Sequence, residues 1–145
     1  MIEYTVKVYG KGDKAWYLNG KLHREDGPAF EGASGSKEWY LNGKRHREDG
    51  PAIEWASGGK FWYLKGERHR EGGPAFEGAD GSKEWYLNGK RHREDGPAIE
   101  WADGSKSWLL NDKLLTEAEF KNRMNKPCSG KVVEIEGVKY KLVEV

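Results

Sequence analysis

The chain has 145 residues, 36% of them hydrophobic and 34% charged, with seven tryptophans and seven tyrosines. Its 25 lysines and arginines balance 24 aspartates and glutamates to a formal net charge of +1, which argues against both an acidic DNA mimic and a partner such as long nucleic acid. The aromatic content argues against disorder, and the single cysteine, Cys128, excludes an internal disulfide and a paired-cysteine zinc site.

No apolar run is long enough to span a bilayer, and the start MIEYTVKVYG lacks the apolar stretch of a secretory leader. The expectation is a cytoplasmic protein without a membrane span. Residues 2–9 alternate well enough to form a strand, with Gly10 to Asp13 in the place of a repeat turn. Segment 1–15 therefore reads as an N-terminal capping strand.

From there the sequence repeats. Trp16, Trp39, Trp62, Trp85 and Trp108 recur every 23 residues, so four copies fill residues 16–108. A period of this length marks a structural unit that cannot bury its apolar face alone and stacks on its neighbours. Residues 16–61 and 62–107 differ at only eight positions, which makes the duplicated unit a pair of copies. Phe30 and Gly32 of one copy become Ile53 and Trp55 in the next, an alternation that keeps bulk even along a stack.

Within a copy, PAIEWA (97–102) and KSWLLN (106–111) flank Asp103-Gly104-Ser105 and read as a β-hairpin. Asn-Gly-Lys and Glu-Asp-Gly-Pro join successive strands. Alternation sets Trp85 and Leu87 on one face and Tyr86 on the other. Past Trp108 the pattern breaks. Thr116-Glu117-Ala118-Glu119 has the form of a capping box and predicts a helix over 116–125, limited by Pro127. VVEIEGVKYKLVEV (132–145) alternates around Glu136-Gly137 and predicts a hairpin. Segment 109–145 is then a C-terminal helix and β-hairpin cap.

The most reactive-looking string is His-Arg-Glu-Asp, at His23 to Asp26, His46 to Asp49 and His92 to Asp95, with Gly72 replacing the aspartate after His69. Histidine beside carboxylates can bind metal or move protons. Catalysis, however, needs one unique constellation, whereas this string returns at regular spacing. The expectation is no enzyme, no metal and no cofactor. The histidines are expected to support turns, and the arginines to pair with the adjacent glutamates along a sheet edge. Tyr17, Tyr40, Tyr63 and Tyr86, lying opposite the tryptophans, form with Arg24, Arg47, Arg70 and Arg93 the candidate binding surface. Cross-strand covering of a thin sheet is the alternative role for these tyrosines. Aromatics interleaved with arginine also suit a small nucleotide.

Segment NGKRHREDGPAIEWADGSK (88–106) resembles the MORN repeat, which has the same length, an NGKxHG string, an aromatic position and a DGS-type turn. His-Arg-Glu-Asp-Gly-Pro in place of the common Gly-x-Gly is similar to the MORN-variant class of bacteria and their viruses. The resemblance implies a single elongated sheet of hairpins contacting proteins or phospholipid, and an immunity-type or antitoxin role. Residues 130–145 also resemble segments of tailed-phage proteins. The expected fold is an all-β repeat array, an elongated antiparallel β-meander of stacked hairpins with a small helix plus β-hairpin C-terminal cap. The expected function is a phage-encoded inhibitor that neutralises a bacterial toxin or antiviral defence protein by direct contact. A nucleotide sponge and a phospholipid or scaffold module are the alternatives, and the chain is expected as monomer or homodimer.

Overall fold

The computed structural model describes residues 2–125 and 132–141. Pro127, Cys128 and the last four residues of the expected hairpin lie outside them. The protein is an all-β repeat array: a 12-stranded antiparallel sheet runs in chain order from Thr5–Val8 through Lys14–Leu18 to Lys113–Leu115. Each copy adds one short hairpin to this sheet, as Ile53–Glu54 does with Lys60–Phe61 and Ile99–Glu100 with Lys106–Leu110.

The meander is more divided than alternation alone suggests. At each tryptophan the chain leaves the long sheet and enters a second, two-stranded hairpin: Tyr40–Leu41 with Lys44–Arg45, Tyr63–Leu64 with Glu67–Arg68, and Tyr86–Leu87 with Lys90–Arg91. Tryptophan is the crossing point. The Trp39 amide donates forward to the Ala52 carbonyl at 2.8 Å, whereas its carbonyl accepts from the returning His46 amide at 3.1 Å. Trp16, Trp62 and Trp85 do the same with Ala29, Ala75 and Ala98. One strand therefore serves two rows of hairpins.

The second row turns tightly. Asn42-Gly43, with φ of 51° and 79°, closes a two-residue loop whose paired positive φ angles suit the right-handed twist of the flanking strands. Asparagine tolerates the left-handed region better than most residues. In the third copy Lys65 takes the same φ of 51°.

Cross-strand register gives the long sheet two unlike faces. One row reads Lys14, Glu31, Lys37, Glu54, Lys60, Glu77, Lys83, Glu100, Lys106, each opposite the next. Opposite charges thus alternate across the strands, and a slip of one residue would bring apolar side chains into the row. The other face carries Ala15, Phe30, Glu38, Ile53, Phe61, Phe76, Glu84, Ile99 and Ser107. Trp55, Phe61 and Phe76 form a ring cluster with successive centroids 4.7 Å apart.

The helix Glu117–Met124 carries the expected capping box, with Thr116 accepting from the Glu119 amide and Glu119 accepting from the Thr116 amide. It packs on the last hairpin, and Phe120 and Leu115 are both buried. Val132–Ile135 and Val138–Lys141 form a hairpin around Glu136-Gly137.

The alanine that follows each proline, Ala29, Ala52, Ala75 or Ala98, is 0% exposed at the corner between the two rows. Larger side chains have nowhere to go. Ala75→Leu is expected to lower unfolding stability by about 1–3 kcal/mol. Leucine at the exposed turn residue Ala79 should change it little; chemical denaturation of both variants checks the contrast.

Candidate functional site

The repeated His-Arg-Glu-Asp-Gly-Pro loop is built around its arginine. The Arg47 guanidinium lies 3.9 Å from the Trp39 ring centroid. Nε of Arg47 donates to Asp49 at 2.9 Å, and Nη1 donates to the Pro51 carbonyl and to Glu54. A Cβ on Gly50 would fall 3.0 Å from the same guanidinium carbon. Arginine is therefore held between an indole and a bare glycine backbone, and its loop is closed on itself. Arg24, Arg70 and Arg93 stack likewise on Trp16, Trp62 and Trp85.

The arginines pair differently from the expected edge pattern. Their partners are the aspartate two residues on and the glutamate seven on, within the same copy. The intervening glutamates, Glu25, Glu48, Glu71 and Glu94, are exposed and stand 3.2–3.7 Å from the Nε2 of the preceding histidines. Arg70 keeps only Glu77, because Gly72 replaces the aspartate. Hydrogen bonding and the positive charge of Arg24 and Arg93 hold the Asp26 and Asp95 carboxyls below their ordinary range.

Each histidine ties its copy to the next. Nδ1 of His23, His46, His69 and His92 accepts the backbone amide of Asn42, Lys65, Asn88 and Asn111 at 2.9–3.0 Å. A parallel link joins the long-sheet turns, where Ser36 and Ser82 Oγ accept the amides of Ala56 and Ala102. Gly59 occupies the equivalent position in the second copy, and the Trp55 ring lies over it.

Between successive loops lie open clefts of 490–680 Å³ along the array. The 680 Å³ cleft is floored by Trp39 and Leu41 and walled by Arg24, Asp26, His46 and Arg47. Similar walls recur around Trp62 and Trp85. Among the described residues, no three of His, Cys, Asp and Glu form a group able to hold a metal ion.

The tyrosines lie on the opposite side. Tyr40, Tyr63 and Tyr86 are cross-strand partners of Arg45, Arg68 and Arg91 in the second row. Those arginines interleave with the rings: Arg45 stands 5.7 and 5.6 Å from Tyr40 and Tyr63, and Arg68 stands 6.0 and 5.2 Å from Tyr63 and Tyr86. Glu38 accepts from the Tyr40 hydroxyl at 2.7 Å and pairs with Arg45; Glu84 does the same for Tyr86 at 2.8 Å and Arg91. Ahead of the third copy's Tyr63, Phe61, the last residue of the second copy, stands in the place of that glutamate. Arg68 lies 5.3 Å from that ring and donates to the Tyr63 and Tyr86 hydroxyls, with no carboxylate in its ion-pair range among the described residues. Along the first copy, Leu22 opposes Tyr17, which is instead covered by Lys7 at 4.7 Å.

The eight sequence-selected residues thus divide between two faces. Tyr17, Tyr40, Tyr63 and Tyr86 belong to the tyrosine–arginine ladder, while Arg24, Arg47, Arg70 and Arg93 are clamps on the tryptophan side. Sequence reasoning passed over Glu38, Phe61, Arg45, Arg68, Glu84 and Arg91. The two-residue Asn-Gly turn was the available signal, since it pairs Tyr40 with Arg45 directly. Trp55 and Trp101, 49% and 44% exposed, follow Ile53 and Ile99 by two residues and so share their face. The protein is, by fold and surface, an all-β repeat array with a clamped tryptophan face and an aromatic, arginine-rich face. No protein-family model matches the chain, and no curated protein matches it either.

Burial and the Glu38 hydrogen bond push the Tyr40 hydroxyl from 10.0 up to about 12, and burial with Glu84 raises Tyr86 in the same direction. A raised folded value favours the protonated native state, so this contribution is complete below pH 10 and lost as pH climbs to about 12. Tyr40→Phe should flatten the fall of stability in that window, measured by urea denaturation at successive alkaline pH values.

Proposed function

We propose that the chain is a non-enzymatic binding protein that holds a protein target against its tyrosine–arginine face. The observation that carries this reading is the pair of exposed tryptophans, Trp55 and Trp101, on an array that also carries the interleaved Tyr and Arg residues, with Trp55 joined to Arg68 through the Phe61 ring. Trp, Tyr and Arg dominate binding energy at protein interfaces because they combine large apolar area with directional hydrogen bonding. A non-enzymatic role is supported by the engagement of each His-Arg-Glu-Asp-Gly-Pro loop in holding the array together. The similarity of residues 88–106 to MORN-variant repeats directs the choice of target. That target is a bacterial toxin or antiviral defence protein, and the chain is its phage-encoded inhibitor in the host cytoplasm.

A second reading rests on Arg68, the ladder arginine without a carboxylate partner among the described residues. A guanidinium between two tyrosines and a phenylalanine suits the phosphate and base of a small nucleotide signal. One experiment separates the two. Tagged protein is recovered from phage-sensitive bacterial lysate, and both bound proteins and molecules freed by denaturation are identified by mass spectrometry. Stoichiometric capture of one toxin or defence protein, lost in Trp55→Ala and Trp101→Ala, is the expected result. Release of a nucleotide, lost in Arg68→Ala, with no protein captured would replace this reading with the sponge.

A further inference from the structure

We infer that the N-terminal edge, residues 2–8 including the strand Thr5–Val8, is a homodimer interface that pairs antiparallel with the same segment of a second copy. This inference is independent of the target-binding reading, since it uses a different part of the array. The far end of the long sheet carries a helix packed on its last hairpin. Thr5–Val8 has only one neighbour, Lys14–Leu18, among the described residues. Ile2, Val6 and Val8 are 64%, 46% and 67% exposed beside this edge. An open edge with apolar side chains is a template for another strand.

Hydrogen-bond phase restricts how that strand can pair. The Tyr9 amide donates to the Asp13 carbonyl at 2.9 Å, and Val8 lies opposite Lys14. Tyr9, Lys7 and Thr5 therefore turn their backbone groups inward to the neighbouring strand, and Val6 and Val8 turn theirs outward; the same alternation carried into the residues before the strand gives Tyr4 and Ile2 the outward phase on pairing. A second copy must match outward residues with outward residues. Val6 can then face the partner's Tyr4, Val6, Val8 or Ile2.

Charge selects among these registers. With Val6 opposite the partner's Tyr4, Glu3 faces the partner's Lys7 and the reciprocal pair forms by symmetry. Ile2 then faces the partner's Val8, and Thr5 meets the partner's Thr5 on the axis. Val6 opposite the partner's Val6 leaves Glu3 facing the partner's Tyr9, without an ion pair. Val6 opposite the partner's Val8 places Lys7 against the partner's Lys7. Val6 opposite the partner's Ile2 leaves Glu3 facing the partner's Thr5. Only the first register is self-complementary in charge and apolar pairing, as a two-fold interface requires.

The axis of such a pair stands perpendicular to the sheet, so each face continues into its counterpart. Two arrays join into one sheet. The tyrosine row beginning at Tyr17 then runs on both sides of the axis, and the two target-binding faces point the same way.

Sedimentation equilibrium of the full chain tests the interface and the register together. The wild type is expected to dimerise. Val6→Pro should be a folded monomer by circular dichroism, since proline removes only an outward amide and edge strands tolerate that loss. Lys7→Glu should raise the dimer Kd about tenfold or more by setting acid against acid. Glu3→Lys combined with Lys7→Glu should restore it, because both pairs return with reversed sign. In a Cys128→Ser background, oxidised Thr5→Cys should form a disulfide dimer, since the axial pair brings the two Cα atoms within bonding range. A wild type monomeric up to its solubility limit would overturn the proposal. So would a dimer that survives Val6→Pro, or a double charge swap that fails to recover association.

Discussion

An arginine side chain laid between a tryptophan ring and a glycine backbone is the contact on which each copy depends. The cation faces the negative face of the indole, and its in-plane donors reach an aspartate, a proline carbonyl and a glutamate in three of the four loops. Each loop residue then has a physical task. Glycine permits the close approach, with Cβ clearances of only 2.9–3.1 Å to the guanidinium carbon in all four loops. Proline supplies the carbonyl and stands two residues before the next strand, and the buried alanine after it accepts the tryptophan amide of the neighbouring strand. A string that looks catalytic in sequence is thereby occupied by folding.

Copies hold one another by three parallel lines. The long-sheet ladder forms the first, histidine Nδ1 on the next copy's turn forms the second, and serine Oγ on the next long-sheet turn forms the third. None of these contacts is large, which suits an array whose stability accumulates through nearest neighbours. The third line is absent at Gly59, where the Trp55 ring takes the space. A backbone link has there been exchanged for an exposed aromatic side chain. The same region holds two further departures from regularity, Phe61 in the place of glutamate and Gly72 in the place of aspartate. Phe61 and Gly72 give the loops around Arg68 and Arg70 surroundings unlike those of the other copies.

The repeat period, the long-sheet hairpins, the capping box and the Glu136-Gly137 turn were all legible in the sequence, because each depends on local chemistry or on simple recurrence. The division into two rows was not. Alternation treats Lys83 to Leu87 as one strand, and nothing in these residues says that the Trp85 amide and carbonyl pair in different directions. Arg47 shows a related limit. Sequence proximity suggested Glu48 as its partner, but the loop bends the guanidinium back toward Asp49, Glu54 and Trp39. Likewise Tyr86 looked free to face solvent, whereas the second-row hairpin sets its hydroxyl against Glu84 and leaves the residue 6% exposed.

The two faces answer to different demands. On the tryptophan side, side chains are committed to closing loops and joining copies; on the other, the exposed Trp55 and Trp101 rings and the Arg68 guanidinium, with no carboxylate partner among the described residues, remain beside paired groups. The claim that the planar arginine clamp organises every copy is tested most directly by equilibrium denaturation of Arg47→Lys. Lysine keeps the charge and loses the stacked plane and fork of donors, so the account predicts a loss of about 1–2 kcal/mol. Stability equal to that of the unsubstituted protein would contradict it.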